Sequence, residues 1–214
     1  MSRFTKSILI ALVIVIIDQI SKFWIKTNMT LYENIPVFGN WFIIHFIENK
    51  GMAFGWEFFP KWVLSMIRII AVVGLIWFLR ELIKKEAKPV ITISISLITA
   101  GALGNIIDSA FYGMFFTESK AEVISVFTLS GGYESFLHGH VVDMLHFPII
   151  NGHFPEWFPQ NEYFPFKGGS SFTFFSPVFN IADSSVTVGV VLLLIFRKKF
   201  AEVIAQPNQE LENN

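Results

Sequence analysis

The chain has no cysteine among its 214 residues. That excludes a disulfide, a thiolate nucleophile, an iron–sulfur cluster and a Cys-ligated zinc, and it leaves the chain no cysteine of its own to lipidate. Charge is also scarce. Asp, Glu, Lys and Arg make up 15% of the residues, against roughly 25% in an ordinary soluble domain. Neither sign is in excess, because 16 basic and 17 acidic residues leave a net charge of -1. No nucleic-acid partner is expected from such a balance, since phosphate binding needs a basic surface. No internal repeat is visible. The scarcest acid is aspartate, present only as Asp18, Asp108, Asp143 and Asp183.

Apolar residues fill the gap. Hydrophobic residues reach 53%, Phe alone contributes 25, and mean hydropathy is +0.55. A disordered chain would be charge-rich and aromatic-poor, and a soluble domain this apolar would be hard to keep in solution. A helix crosses the bilayer core with roughly 20 mostly apolar residues. Four stretches qualify: about 7–25, 62–79, 89–107 and 177–196. The first could be read as a cleaved signal peptide, but no small-x-small site follows it, and the apolar run resumes after Asp18–Lys22. We read it as a retained span.

Basic residues set the orientation. Arg3 and Lys6 precede the first stretch. Arg80, Lys84, Lys85 and Lys88 fill the link between the second and third, and Arg197, Lys198 and Lys199 follow the fourth. With four spans these nine lie on one side, so both termini are expected to be cytoplasmic. Lys26, Lys50, Lys61, Lys120 and Lys167 spread over two longer outer loops. The first, about 27–61, has the strand-like run WFIIHFI; the second, about 109–176, is rich in Phe, Pro and Trp. A single unit over 1–205 is expected, with 206–214 a disordered polar tail.

On this topology the four aspartates converge on the outer leaflet, where a charge is costly unless paired or hydrated. Lys22 is the i+4 neighbour of Asp18 and can pair with it. Asp108 follows GNII, where its carboxylate can tie down loop amides at the close of a helix. Asp143 and Asp183 have no basic residue within several positions. Each must find a distant cation, a metal or the other. Two carboxylates held together share a proton, and such a pair can activate water and protonate a leaving amine. A Ser mechanism lacks its G-x-S-x-G elbow. His138, His140 and Asp143 are all metal-ligand types, with the two His on one face if the run is a strand, but no H-E-x-x-H helix or zinc spacing accompanies them. A transporter would need polar residues through the full depth, yet GVVLLLIF and ILIALVIVII are apolar and Arg68 is the main inner or mid-membrane charge. A non-catalytic lipid-binding scaffold is the remaining rival.

Five blocks then resemble a known family: DQISK (18–22), ENKGMAFG (48–55), AGALGNIIDS (100–109), VVDM (141–144) and FNIADSS (179–185). In their order they are similar to lipoprotein signal peptidase, or signal peptidase II, a bacterial aspartic peptidase with four membrane helices. The resemblance implies a membrane α-helical fold with four transmembrane helices, a small extracytoplasmic β-rich cradle and a long second extracytoplasmic loop. It implies Asp143 and Asp183 as the catalytic pair. Asp18, Lys22, Asn49, Gly51, Gly104, Asn105, Asp108 and Asn180 are implied as residues that bind substrate or support the site. The implied reaction removes the signal peptide of diacylglyceryl-cysteine-modified prolipoproteins at the outer leaflet of the bacterial inner membrane. No metal or cofactor is implied, membrane lipid surrounds the enzyme, and a monomer is expected. Two departures stand out. Ser109 occupies a position where the family usually has Arg, and residues roughly 113–138 and 147–174 match nothing in it.

Overall fold

A computed structural model describes residues 2–50, 60–157, 167–174 and 176–205. Gly51 and the rest of its block up to Gly55 lie outside the described residues, as does the tail 206–214. Among the described residues, three helices are long and apolar enough to cross a membrane. Helix α1 runs Arg3–Asn28, started by Ser2, whose side chain accepts from the Thr5 amide at 3.1 Å. Helix α2 runs Lys61–Lys84 behind Pro60, and α3 runs Pro89–Ile107 with Pro in its first turn. Proline suits both starts because the first helical amides need no partner. The helix α3 does not close at Asp108, as GNIID suggested. It continues through a π-helical turn, Asp108–Tyr112, into the one-turn helix α4, Gly113–Phe115. Inside that turn the Ser109 hydroxyl donates to the Asn105 carbonyl at 3.0 Å, and such wide turns commonly accompany functional sites.

The fourth apolar stretch is shorter than the sequence suggested. Val178–Phe179 form a strand, β6, and helix α5 runs only Ile181–Ile195, followed by α6, Arg197–Ile204. Asn180 is the reason. Its side-chain oxygen accepts from the Asp183 amide while the Asp183 carboxylate accepts from the Asn180 amide, a reciprocal cap that fixes the helix start.

Helix α5 packs tightly on α3. A Cβ on Gly101 would come within 2.2 Å of the Ala182 carbonyl oxygen, so only glycine lets the backbones approach this closely. Three hydroxyls of α3 are satisfied within their own helix. Ser94, Ser96 and Thr99 each donate to the carbonyl four residues earlier at 2.7 Å. Ile20 on α1, Ile70 and Trp77 on α2 and Leu194 on α5 point outward and stay exposed, as lipid-facing side chains do.

At one end sits an antiparallel sheet in the order β1-β2-β3-β6, with β1 Asn34–Phe38, β2 Phe42–Asn49 and β3 Val141–His146. A separate hairpin joins β4, Ile150–His153, to β5, Ser171–Phe174. The sheet joins the bundle through buried Ile25, Met29, Phe46, Tyr112, Phe116, Val142 and Met144. A second core, with Leu79, Leu82, Ile91, Ile95 and Val203, closes the opposite end.

Candidate active site

The polar groups gather where the site ends of α1, α3 and α5 meet β3. Lys22 is the hub. Its ammonium lies 2.9 Å from Asp18 Oδ2, 2.9 Å from Asp108 Oδ2 and 2.9 Å from Asn105 Oδ1, and it is fully buried, as are Asp18 and Asp108. Three donors thus meet three acceptors, which is what a buried ammonium requires. The carboxylates also reach beyond the hub. Asp18 Oδ1 accepts from the Ala182 amide at 2.8 Å, joining α1 to the first turn of α5. Asp108 Oδ2 accepts from the Val142 amide at 3.2 Å, fixing the strand one residue before Asp143. Gln19 was not singled out in the sequence, yet its amide donates to Asp18 Oδ2, the Gly104 carbonyl and Asp108 Oδ1 at 2.9–3.2 Å. Its place beside Asp18 was the only local hint. Gly104 leaves room for this arrangement, since a Cβ there would lie 2.6 Å from Asp18 Oδ2.

Asp143 and Asp183 sit on the far side of two asparagines. The Asn180 side-chain amide donates to Asp143 Oδ1 at 2.7 Å, with longer contacts to Asn105 Oδ1 at 3.1 Å and the Val142 carbonyl at 3.3 Å. The backbone amide of Asn180 donates to Asp183 Oδ2 at 3.3 Å. Asn105 donates to Asp183 Oδ1 at 2.8 Å, while its oxygen accepts from Lys22. One residue therefore touches both carboxylates, and a second relays the Lys22 charge to Asp183. Burial pushes the Asp143 carboxyl up, the negative charge of Asp183 pushes it further, and Asn180 offsets only part, leaving it at about 7.

The other expected residues fall as follows. Asn49 ends β2 and pairs across the sheet with Val141, two residues from Asp143. Ser109 Oγ accepts from the Arg68 guanidinium at 3.1 Å, so Arg68 stands beside Asp108. His138 and His140 take separate partners: His138 Nδ1 meets the Phe136 carbonyl at 2.9 Å, and His140 Nδ1 meets Glu48 Oε2 at 3.1 Å.

The sequence model of the peptidase A8 family, described as signal peptidase (SPase) II, matches residues 10–198. The chain belongs to the signal peptidase II family. This makes it a member of a protease family and a membrane protein. A lipoprotein signal peptidase from Porphyromonas gingivalis is 45% identical over 199 residues, covering 91% of this chain and 85% of that one. One from Amoebophilus asiaticus is 35% identical over 209 residues, covering 95% and 80%. A solved bacterial membrane enzyme, 29% identical, superposes with a TM-score of 0.59 over 89% of this chain and 91% of its own. Signal peptidase II membership thus accounts for the apolar helices and the small sheet together.

Proposed function

We propose that this chain removes the signal peptide from diacylglyceryl-modified prolipoproteins, with Asp143 and Asp183 as the pair that activates water. The observation that carries this reading is Asn180, which donates to Asp143 through its side chain and to Asp183 through its backbone. Two carboxylates held by one residue repel each other, so one keeps a proton. The raised Asp143 carboxyl is the one that holds it at rest. The ionised partner takes a proton from water as its oxygen attacks the scissile carbonyl carbon. Asp143 gives its proton to the developing oxyanion, and the pair then passes a proton to the leaving amine as the C–N bond breaks. Asn105 and Asn180 orient the pair without adding charge.

The reaction belongs at the outer leaflet of the bacterial inner membrane, in a single unit over 1–205 that acts as a monomer surrounded by lipid, with four spans and both termini cytoplasmic. Nine basic residues in three short segments at the opposite side support that orientation. The shortness of α5 supports the depth. Fifteen residues rise about 22 Å, less than a hydrocarbon core of about 30 Å, so a helix whose far end meets Arg197–Lys199 starts below the membrane surface. Asp183, in its first turn, then lies at the depth of a membrane-bound substrate.

The test is cleavage of a lipidated precursor by purified protein. Asp143→Asn and Asp183→Asn are each expected to yield no product while inserting and melting as folded proteins. Near-wild-type turnover by either variant would overturn the reading. Chelator is expected to leave cleavage intact, whereas a metal mechanism forecasts inhibition and rescue by zinc.

A further inference from the structure

Four carboxylates crowd the site, and Lys22 has spent all three of its hydrogens on Asp18, Asp108 and Asn105. Its hydrogen-bonded link to the pair runs through the Asn105 amide to Asp183, while its charge also acts on Asp143. A second cation stands nearby. Arg68 lies on the second turn of α2, half-buried, and its described hydrogen bond goes to a neutral partner, Ser109 Oγ. The serine is itself buried and donates its own proton to the Asn105 carbonyl, so it offers Arg68 an oxygen lone pair in a fixed direction. Among the described residues the hydrogen-bond partner of this half-buried guanidinium is a neutral hydroxyl, so negative charge close by offsets part of the cost of burying it. That charge is supplied by Asp183 on α5, Asp108 at the end of α3 and Asp143 on β3, all three within Coulombic reach.

The family pattern has its Arg at the position of Ser109. Here the guanidinium comes instead from α2, and the small side chain at 109 is its seat. An arginine at both positions would set two cations against each other, so the serine and Arg68 make sense as one exchange.

We propose that Arg68 is a positioning residue of the Asp143–Asp183 pair: seated on Ser109, its permanent positive charge keeps the pair at one net negative charge over the working pH range. The inference rests on the aspartate-pair reading. Among the described residues, Lys22 from α1 and Asp108 from the turn after α3 act on Asp143, Arg68 faces both aspartates from α2, Asp18 is paired with Lys22, and Lys61 is a like-charged neighbour of Arg68 on its own helix. A positive charge favours the ionised forms of both carboxyls. Its loss therefore moves both limbs of the bell-shaped pH–rate profile to higher pH.

The experiment measures kcat/KM against pH for full-length protein in lipid with a lipidated precursor. Arg68→Gln is expected to displace the bell upward by about one pH unit. Arg68→Lys keeps the charge and loses the planar fork, so it is expected to lose rate but keep the pH limits. The exchange Arg68→Gln with Ser109→Arg is expected to return the bell to its native position. An unmoved bell in Arg68→Gln, or an equal displacement in Arg68→Lys, overturns the proposal. Should Arg68→Gln fail to accumulate, the exchange decides. Native-like cleavage supports the proposal, and absence of protein, absence of cleavage or a displaced bell overturns it. The aspartate-pair reading fails separately, by cleavage in Asp143→Asn or Asp183→Asn.

Discussion

Lys22 and Lys26 lie one turn apart on α1, both fully buried, and they are satisfied in opposite ways. Lys22 is held by two carboxylates and an amide carried on helices. Lys26 is held by one carboxylate, Glu48 of β2, by Ser119 Oγ at 2.8 Å and by the ring face of Tyr133 at 4.9 Å. Ser119 and Tyr133 belong to the long loop between α4 and β3, for which the sequence blocks offered no counterpart but which the family's sequence model spans. Glu48 binds that loop further through Ser119 and through His140. Burial pushes the Glu48 carboxyl up, but the His140 hydrogen bond and the Lys26 ammonium outweigh it and leave it below the usual range. The difference is one of rigidity. The Lys22 cluster locks helices whose positions the bundle already sets, whereas the Lys26 cluster is itself what fastens a loop to the edge of the site.

The largest effect expected follows from cutting each hub. Lys22→Met leaves Asp18 and Asp108 buried without their cation, a loss of about 3–5 kcal/mol, and should abolish cleavage. Lys26→Met leaves Glu48 with His140 and Ser119, so the loop should become protease-sensitive while the aspartate pair still cleaves. Equal loss of cleavage in the two variants would break the distinction; melting curves, limited proteolysis and a cleavage gel read it. Next in size is Gly104→Ala. Its Cβ would meet Asp18 Oδ2 at 2.6 Å and Ala182 Cβ at 3.0 Å, an overpacking cost of about 1–3 kcal/mol with reduced kcat. Unchanged stability would show that the Lys22 cluster is less rigid than argued.

The loop should also respond to acid. Glu48 has a lowered folded-state value, so its contribution is present above about 4.5 and is lost as pH falls through that lower value. Proteolysis of the loop should rise over that acid range in wild type. In Glu48→Gln it should be rapid already at neutral pH and insensitive to acid. The smallest effect is on stability at the site itself. Asp143 titrates near 7 when folded against 3.8 when unfolded. Its ionised form is disfavoured by folding, so stability falls between those values as pH rises and the penalty persists above them. Asp143→Asn should therefore raise Tm by about 2–4 °C for each kcal/mol relieved at about pH 8, and by nothing near pH 4. A gain of equal size at both values would refute that sign.

Much of the site was legible from residue spacing. The i+4 pair of Lys22 with Asp18 was, and so was a backbone amide as partner for Asp108, although that amide belongs to Val142 of strand β3 and not to a loop. So was the lack of a local cation for Asp143 and Asp183. Gln19 and Glu48 were missed because their partners lie 89 and 92 residues away. That Arg68 meets Ser109 was not legible, because position along a helix does not reveal which neighbour a side chain faces. The start of α5 was misjudged because hydropathy cannot distinguish strand Val178–Phe179 from helix, while the Asn180 cap can.

What the sequence determined by itself was the solvent, the apolar spans and the residue types available for chemistry, because hydropathy, helical periodicity and composition are local properties. Family membership was legible for a related reason: its blocks are short runs of consecutive residues. Only the tertiary structure decided that Asn180 holds both aspartates, that Asn105 carries the Lys22 charge 78 residues along the chain to Asp183, and that Arg68 sits on Ser109. Those are meetings of groups on different elements, and their energies depend on burial and distance, which exist only once the helices have packed.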